Sequence, residues 1–132
     1  MKIVEYGKQN RDVIMLLHGG GLSWWNYRTE AEILKDRYHV VLPILDGHAG
    51  SDDDFISIEK NASRMISFID KQYGGMVLLI GGLSLGAQVL LEMLTQRSHI
   101  CQYAVIESAS VIPSKWIKGL ILPTVSQSYR LI

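Results

Sequence analysis

The sequence lacks several features that would point to particular partners or compartments. Its 13 Lys and Arg residues balance 13 Asp and Glu residues, and no basic patch or basic helix face is present. The sequence therefore shows no basic surface that would bind nucleic acid or an anionic membrane. No apolar run reaches the roughly 18 residues that a membrane span requires.

Cysteine is also scarce, because Cys101 is the only one and cannot form an internal disulfide. A lone thiol fits a reducing compartment. Charges and a glycine within residues 1–7 break the apolar segment that a secretory signal would need. We therefore expect a cytoplasmic protein that binds neither nucleic acid nor membrane.

Apolar runs of strand length alternate with segments of helical period, which predicts an α/β fold. Strands are expected at residues 2–6, 13–17, 39–43, 76–83 and 103–106, and helices at residues 27–38, 58–73 and 85–97. The run Val13–Leu17 is apolar throughout, as is typical of a strand buried on both faces of a parallel sheet. Gly74 and Gly75 are predicted to end the second helix. Beyond Pro113 the periodicity fades.

The most informative motif is Gly82-Leu83-Ser84-Leu85-Gly86, which lies between a predicted strand and a predicted helix. A serine at such a sharp turn is held in a strained backbone conformation that presents its hydroxyl above the sheet. Glycines two residues before and after it let the strand and the helix approach each other closely. The pattern G-x-S-x-G in this context predicts a nucleophile elbow.

Two further motifs follow earlier strands: His18-Gly19-Gly20-Gly21 and Asp46-Gly47-His48-Ala49-Gly50-Ser51. With the elbow, and in this order, they make the chain resemble the N-terminal part of an α/β-hydrolase-fold serine hydrolase of the esterase type. The middle motif departs from the common D-x-x-G-H-G-x-S form, because Ala49 follows the histidine.

The resemblance implies a mostly parallel central sheet with flanking helices. Residues 1–111 would form the N-terminal part of the core, and residues 112–132 would begin a cap or lid. A domain with this elbow usually has about 200 residues or more. We therefore expect an incomplete α/β-hydrolase fold that lacks the C-terminal strands.

The resemblance also implies roles for individual residues. Ser84 would be the nucleophile, and the backbone N–H groups of Leu85 and Gly20 would form the oxyanion hole, with Gly21 as an alternative donor. A tight turn would also account for part of the glycine run. Trp24 and Trp25 are candidates for an acyl-binding pocket, although aromatic residues beside a helix start often pack in the core.

The general base is missing from this pattern. In this fold the triad follows the order serine, acid, histidine, and the only histidine after Ser84 is His99, which is expected at the opposite end of the sheet. Glu107, at the end of the last predicted strand, is a candidate acid, but a polar residue that simply ends a strand is the favoured interpretation.

No cofactor and no metal are predicted. The acidic residues of the middle loop do not have the spacing of a calcium-binding loop, and we expect them to form a solvated loop. They are Asp46, Asp52, Asp53 and Asp54.

These observations predict a serine hydrolase that acts on a small carboxylic ester or a related acyl substrate, with impaired activity in this chain. The alternative is a non-catalytic hydrolase fragment or pseudoenzyme that acts by binding or self-assembly. If the strand at Tyr103–Ile106 ends the sheet, its apolar edge is a template for pairing with another chain. A homodimer is therefore expected through this edge or through the segment after Pro113.

Overall fold

Five strands form one mixed sheet in the computed structural model, which describes residues 1–110. They are β1 (Ile3–Tyr6), β2 (Val13–Leu17), β3 (His39–Pro43), β4 (Val77–Leu83) and β5 (Cys101–Glu107). Their order is β1-β3-β2-β4-β5, and only β1 is antiparallel to its neighbour. The predicted α/β class with a mostly parallel sheet is confirmed.

The helices of the described residues connect these strands. They are α1 (Arg28–Leu34), α2 (Ile58–Tyr73) and α3 (Leu85–Gln96), and a 3-10 turn at Trp24–Tyr27 precedes α1. Ser57 caps α2 by accepting the Lys60 N–H at 3.2 Å, and Gly74 ends it with a left-handed φ of 68°, as predicted.

Helix α1 is shorter than the predicted helix over residues 27–38. It ends at Leu34, and the Tyr38 N–H closes a turn by donating to the Leu34 carbonyl oxygen at 2.9 Å. Tyr38 still packs beside the buried Ala31. The apolar spacing therefore identified residues that share one cluster, but the last of them reaches it from a turn.

Helices pack on both faces of the sheet, and side chains alternate between the two faces along each strand. Val40 and Leu42 pack with Ala31 of α1 on one face. The larger cluster lies on the other face, where α2 and α3 cover the central strands. Its largest fully buried side chains are Met15, Leu17, Leu45, Met65, Ile69, Ile80, Leu90, Met93 and Ile100.

Strand β5 ends the sheet of the described residues and is far less covered. Six of its seven residues are exposed. The cap predicted at residues 112–132, like the dimer contact predicted after Pro113, lies outside the described residues. In the part of the chain that the structure describes, no helix is both long and apolar enough to cross a bilayer.

Candidate active site

Ser84 occupies a strained turn between β4 and α3. Its φ of 50° and ψ of −107° lie outside the regions that non-glycine residues normally adopt. The Ser84 N–H donates to the Glu107 carbonyl oxygen at 2.8 Å, and the Ser84 carbonyl accepts the Gln88 N–H at 3.0 Å. The backbone is thus held on both sides, and the residue is exposed at the carboxyl end of the sheet.

The flanking glycines are required by close packing. A Cβ at Gly82 would lie 2.5 Å from the Gly86 carbonyl oxygen, and a Cβ at Gly86 would overlap the Leu17 carbonyl group. The first turn of α3 therefore lies directly against β2 and β4. Neither glycine has a positive φ, so space, and not backbone freedom, explains both of them.

The glycine loop lies beside this turn. Leu17 pairs with Gly82 in the parallel ladder of β2 and β4, so His18–Gly21 leaves the sheet at the end where Ser84 lies. A Cβ on Gly20 would lie 3.8 Å from the Leu85 Cβ, whereas one on Gly21 would have no neighbour within 4 Å. The structure brings Gly20 next to Leu85 and leaves Gly21, with φ 73°, in open space.

His18 fixes the start of the glycine loop. The Leu45 N–H donates to His18 Nε2 at 3.1 Å, so the neutral ring carries its proton on Nδ1, which donates to the Gly19 carbonyl oxygen at 2.9 Å. Burial lowers the pKa of His18 below its ordinary value, against the opposing effect of the Gly19 carbonyl. A neutral imidazole therefore ties the loop to the segment after β3.

Ser23 fixes the other end of the same loop, a role that the sequence did not predict. Its side chain is fully buried, and its Oγ donates to the Ala49 carbonyl oxygen at 2.6 Å. Ala49 is the residue that departs from the family motif. No sequence signal marks this contact, because it depends on how two distant loops meet.

The loop that contains Asp46, Asp52, Asp53 and Asp54 was expected to be solvated, but it is only partly so. Asp46 is buried at 2% exposure, and its Oδ2 accepts Arg64 Nη1 at 2.7 Å. Arg64 Nη2 binds Asp53 Oδ2 at 2.7 Å and holds the pKa of Asp53 below its usual range. Asp54 is exposed, as expected. The loop folds over α2, where Arg64 neutralises the buried carboxylate. Within residues 1–110 no group of three or more acidic, histidine or cysteine side chains could hold a metal ion.

The candidate acid and the only histidine after Ser84 lie at opposite ends of β5. Glu107 pairs with Leu83, its side chain is exposed, and its backbone carbonyl oxygen accepts the Ser84 N–H. Burial, and then the negative charge of Glu107, raise the pKa of Tyr27. His99 precedes β5 at the far end, and β5 alone spans about 20 Å at 3.3 Å per residue. A triad role for Glu107 stays a prediction.

The two tryptophans differ in burial. Trp24 is partly buried against the cluster of Ala31, Val40 and Leu42, so it packs in the core. Trp25 is 48% exposed in the turn that follows the glycine loop. A substrate-binding role for either tryptophan stays a prediction.

Comparison with known families agrees with this geometry. A family model described as "Alpha/beta hydrolase family" matches residues 14–129. The chain belongs to this family. Comparison with curated proteins finds no match.

Solved structures of α/β hydrolases share this architecture. An α/β hydrolase family protein from Desulfitobacterium hafniense is 26% identical, with a TM-score of 0.75, and the match covers 83% of this chain and 44% of that one. A thermophilic esterase from Thermogutta terrifontis is 19% identical, with a TM-score of 0.78 and coverage of 86% and 42%. A serine hydrolase from Cycloclasticus is 22% identical, with a TM-score of 0.73 and coverage of 85% and 42%. The chain thus spans less than half the length of these proteins, and the predicted partial α/β-hydrolase fold is confirmed.

Proposed function

We propose that this α/β hydrolase carries the nucleophile half of a serine hydrolase site, for a small carboxylic ester or a related acyl substrate. Ser84 is the proposed nucleophile, and the N–H groups of Leu85 and Gly20 are the proposed oxyanion donors. The observation that carries the proposal is the strained φ of Ser84 at an exposed strand-to-helix turn. The proximity of Gly20 to Leu85 supports the oxyanion assignment.

In the proposed reaction, Ser84 Oγ attacks the acyl carbonyl and forms a covalent acyl-enzyme. Negative charge develops on the carbonyl oxygen, where preorganised N–H groups stabilise it. Losing one such donor typically costs about 2.7–4 kcal/mol of transition-state stabilisation. The rigid bracing of the glycine loop by His18 and Ser23 suits this task, because the donors need no reorganisation.

The proposal includes impaired turnover, because the described residues supply no evident base. Within residues 1–110 no histidine hydrogen-bonds to the Ser84 hydroxyl. Both ring nitrogens of His18 contact backbone groups, His48 Nδ1 contacts the Asp46 carbonyl oxygen, and His39 binds Glu5. Acceleration of about 10³–10⁴-fold over water survives in serine hydrolases that lack a triad member. We expect this chain to act at that level unless a base comes from outside residues 1–110.

The proposed substrate class is supported by the descriptions of similar proteins and not by the shape of a pocket in this structure. The Thermogutta protein is described as an esterase and the Cycloclasticus protein as a serine hydrolase, which favours an ester among acyl substrates. The pocket roles of Trp24 and Trp25, and a cytoplasmic location, belong to this proposal as predictions.

A non-catalytic role is the second candidate, as a fragment or pseudoenzyme that binds or self-assembles. It is favoured by the absence, within residues 1–110, of a histidine that hydrogen-bonds to the Ser84 hydroxyl. The two candidates differ in whether Ser84 is nucleophilic.

A fluorophosphonate probe separates them, because Ser84 Oγ would displace fluoride and add one phosphonyl group to the chain. Intact mass spectrometry should detect a single adduct that Ser84→Ala abolishes. Ser108→Ala is the matched control, since Ser108 is also exposed, next to Glu107, with a φ of 53°; its labelling should equal that of the wild type. A folded wild-type chain that is never labelled would refute the catalytic proposal and leave the non-catalytic role.

A further inference from the structure

Both ends of the glycine loop are attached to one short stretch of the chain, the 45–49 segment. At the start of the loop, His18 Nε2 accepts the Leu45 N–H at 3.1 Å. At its end, Ser23 Oγ donates to the Ala49 carbonyl oxygen at 2.6 Å. The proposed oxyanion donor of the loop lies between these two attachments. Its position therefore depends on where the 45–49 segment lies.

Helix α2 in turn holds the 45–49 segment. The Asp46 N–H donates to Asn61 Oδ1 at 3.1 Å, and Arg64 Nη1 donates to Asp46 Oδ2 at 2.7 Å. Asn61 is only 1% exposed, and its Nδ2 group donates to the Ser57 carbonyl oxygen at 3.0 Å. Both ends of its amide are thus hydrogen-bonded, which fixes the orientation of the group. A buried polar network of this kind holds the segments that it joins in one arrangement.

We infer that Ser23 and Asn61 are positioning residues for the proposed oxyanion hole. Asn61 fixes the 45–49 segment on α2, and Ser23 fixes the glycine loop on that segment. This role rests on the proposed function, because it concerns the Gly20 N–H as an oxyanion donor. Both side chains are buried, so they act through the backbone and do not contact substrate. A displacement of about 1 Å at a reacting centre can cost about 10²-fold in rate.

The two proposed oxyanion donors have separate supports. Leu85 begins α3 directly after Ser84, so its N–H group belongs to the elbow turn. Gly20 is held through the 45–49 segment, which α2 supports. Removing a hydrogen bond from this network should therefore displace the Gly20 N–H and leave the nucleophile and the Leu85 N–H in place.

Two probes that differ in one atom test this role. In a fluorophosphonate, the phosphoryl oxygen would occupy the oxyanion hole and gain negative charge as Ser84 Oγ bonds to phosphorus, fluoride leaves, and the serine proton passes to added imidazole. The matching fluorothiophosphonate carries sulfur at that position, and sulfur is a weaker hydrogen-bond acceptor than oxygen. A misplaced donor therefore slows the oxygen probe more than the sulfur probe. A general loss of structure slows both alike.

Ser23→Ala and Asn61→Leu remove the side-chain hydrogen bonds of the two positioning residues. Each variant should slow labelling of Ser84 by the oxygen probe about 10- to 100-fold and slow labelling by the sulfur probe much less. Intact mass spectrometry measures both rates on folded samples of the full chain, at one imidazole concentration.

Asn10→Leu is the matched control. Asn10 also joins two loops through its side chain, because its Nδ2 group donates to the Lys35 and Tyr38 carbonyl oxygens at 2.7 and 3.1 Å. It precedes β2 and thus lies at the end of the sheet opposite Ser84. Labelling of this variant by either probe should match that of the wild type.

The outcomes separate this role from the proposed function. A wild-type chain labelled at Ser84, together with Ser23→Ala and Asn61→Leu variants that match the control, would overturn the positioning role alone. Equal slowing of both probes would also overturn it, because a general loss of structure would then explain the result. A wild-type chain that is never labelled would refute the proposed function and this role with it. If one variant does not fold, the ratio of the two rates in the other variant decides.

Discussion

The turn at Ser84 and the strand beside it, β5, share a backbone hydrogen bond but differ in packing. At the turn, α3 lies so close to β2 and β4 that Gly82 and Gly86 have no room for a methyl group. On β5, six of seven residues are exposed. The turn that holds Ser84, the proposed nucleophile, is thus built from local sequence and neighbouring strands. Within residues 1–110, no helix covers β5 as α3 covers β4, and no histidine hydrogen-bonds to the Ser84 hydroxyl.

The largest expected effect contrasts two isoleucines in adjacent strands. Ile80 on β4 is fully buried and Ile106 on β5 is 45% exposed. Ile80→Ala should lower the free energy of unfolding by about 4 kcal/mol, whereas Ile106→Ala should lower it by about 1 kcal/mol or less. Urea unfolding measures both. Equal losses would show that Ile106 is as well buried as Ile80 in the folded chain and would remove the contrast.

The next effect tests the tight contact at the elbow. Gly86→Ala forces a Cβ into the Leu17 carbonyl group and should destabilise the fold by about 3 kcal/mol, although alanine favours a helix more than glycine does. Gly20→Ala is the control, because its Cβ would make ordinary contacts at 3.8 Å with Leu85. Thermal unfolding of the two variants should differ clearly. A neutral Gly86→Ala would show that α3 does not lie against β2.

The acidic loop offers a similar contrast between a buried and an exposed ion pair. Arg64→Met leaves the buried Asp46 without its partner and should cost about 2 kcal/mol, less than a fully buried pair because Arg64 is 31% exposed. Lys2→Met breaks an exposed pair with Asp52 and should change stability little. Urea unfolding midpoints compare the two variants. Equal effects would show that the whole acidic loop, including Asp46, is solvated, as the sequence predicted.

The smallest effect is the pH dependence that His18 contributes. Its folded pKa is lowered, so the unfolded chain takes up a proton first as the pH falls below the ordinary value of about 6.5. His18 should therefore contribute constant stability above pH 7 and progressively less below pH 6.5, at no more than about 1.4 kcal/mol per pH unit. Stability measured from pH 7.5 to 5.5 should fall less steeply in His18→Asn. Parallel curves would contradict a buried, neutral His18.

The sequence predicted those features that depend on local pattern. Each predicted strand is present, Gly74 ends α2 as expected, and the spacing of Gly82 and Gly86 anticipated the close approach of α3. These features follow from periodicity and from steric limits within a few residues. The placement of Ser84 at the carboxyl end of the sheet follows from the same pattern.

Contacts between distant segments could not be predicted in this way. The pairing of Asp46 with Arg64 and the hydrogen bond from Ser23 to Ala49 join residues 18 and 26 positions apart. Helix α1 ends before Tyr38, although apolar spacing alone would extend it that far. In each case tertiary packing determined the contact or the end of the helix, and no local sequence pattern indicates it.

The central claim is that Ser84 is positioned as a nucleophile, whereas residues 1–110 supply no general base. Chemical rescue tests this claim most directly. Labelling of the wild-type chain by a fluorophosphonate is followed by intact mass spectrometry at increasing concentrations of imidazole, which can act as the missing base. The account predicts slow labelling at Ser84 that accelerates with imidazole and is absent in Ser84→Ala. Fast labelling that is indifferent to imidazole would show that a base is already in place. No labelling at any concentration would show that the elbow does not activate Ser84.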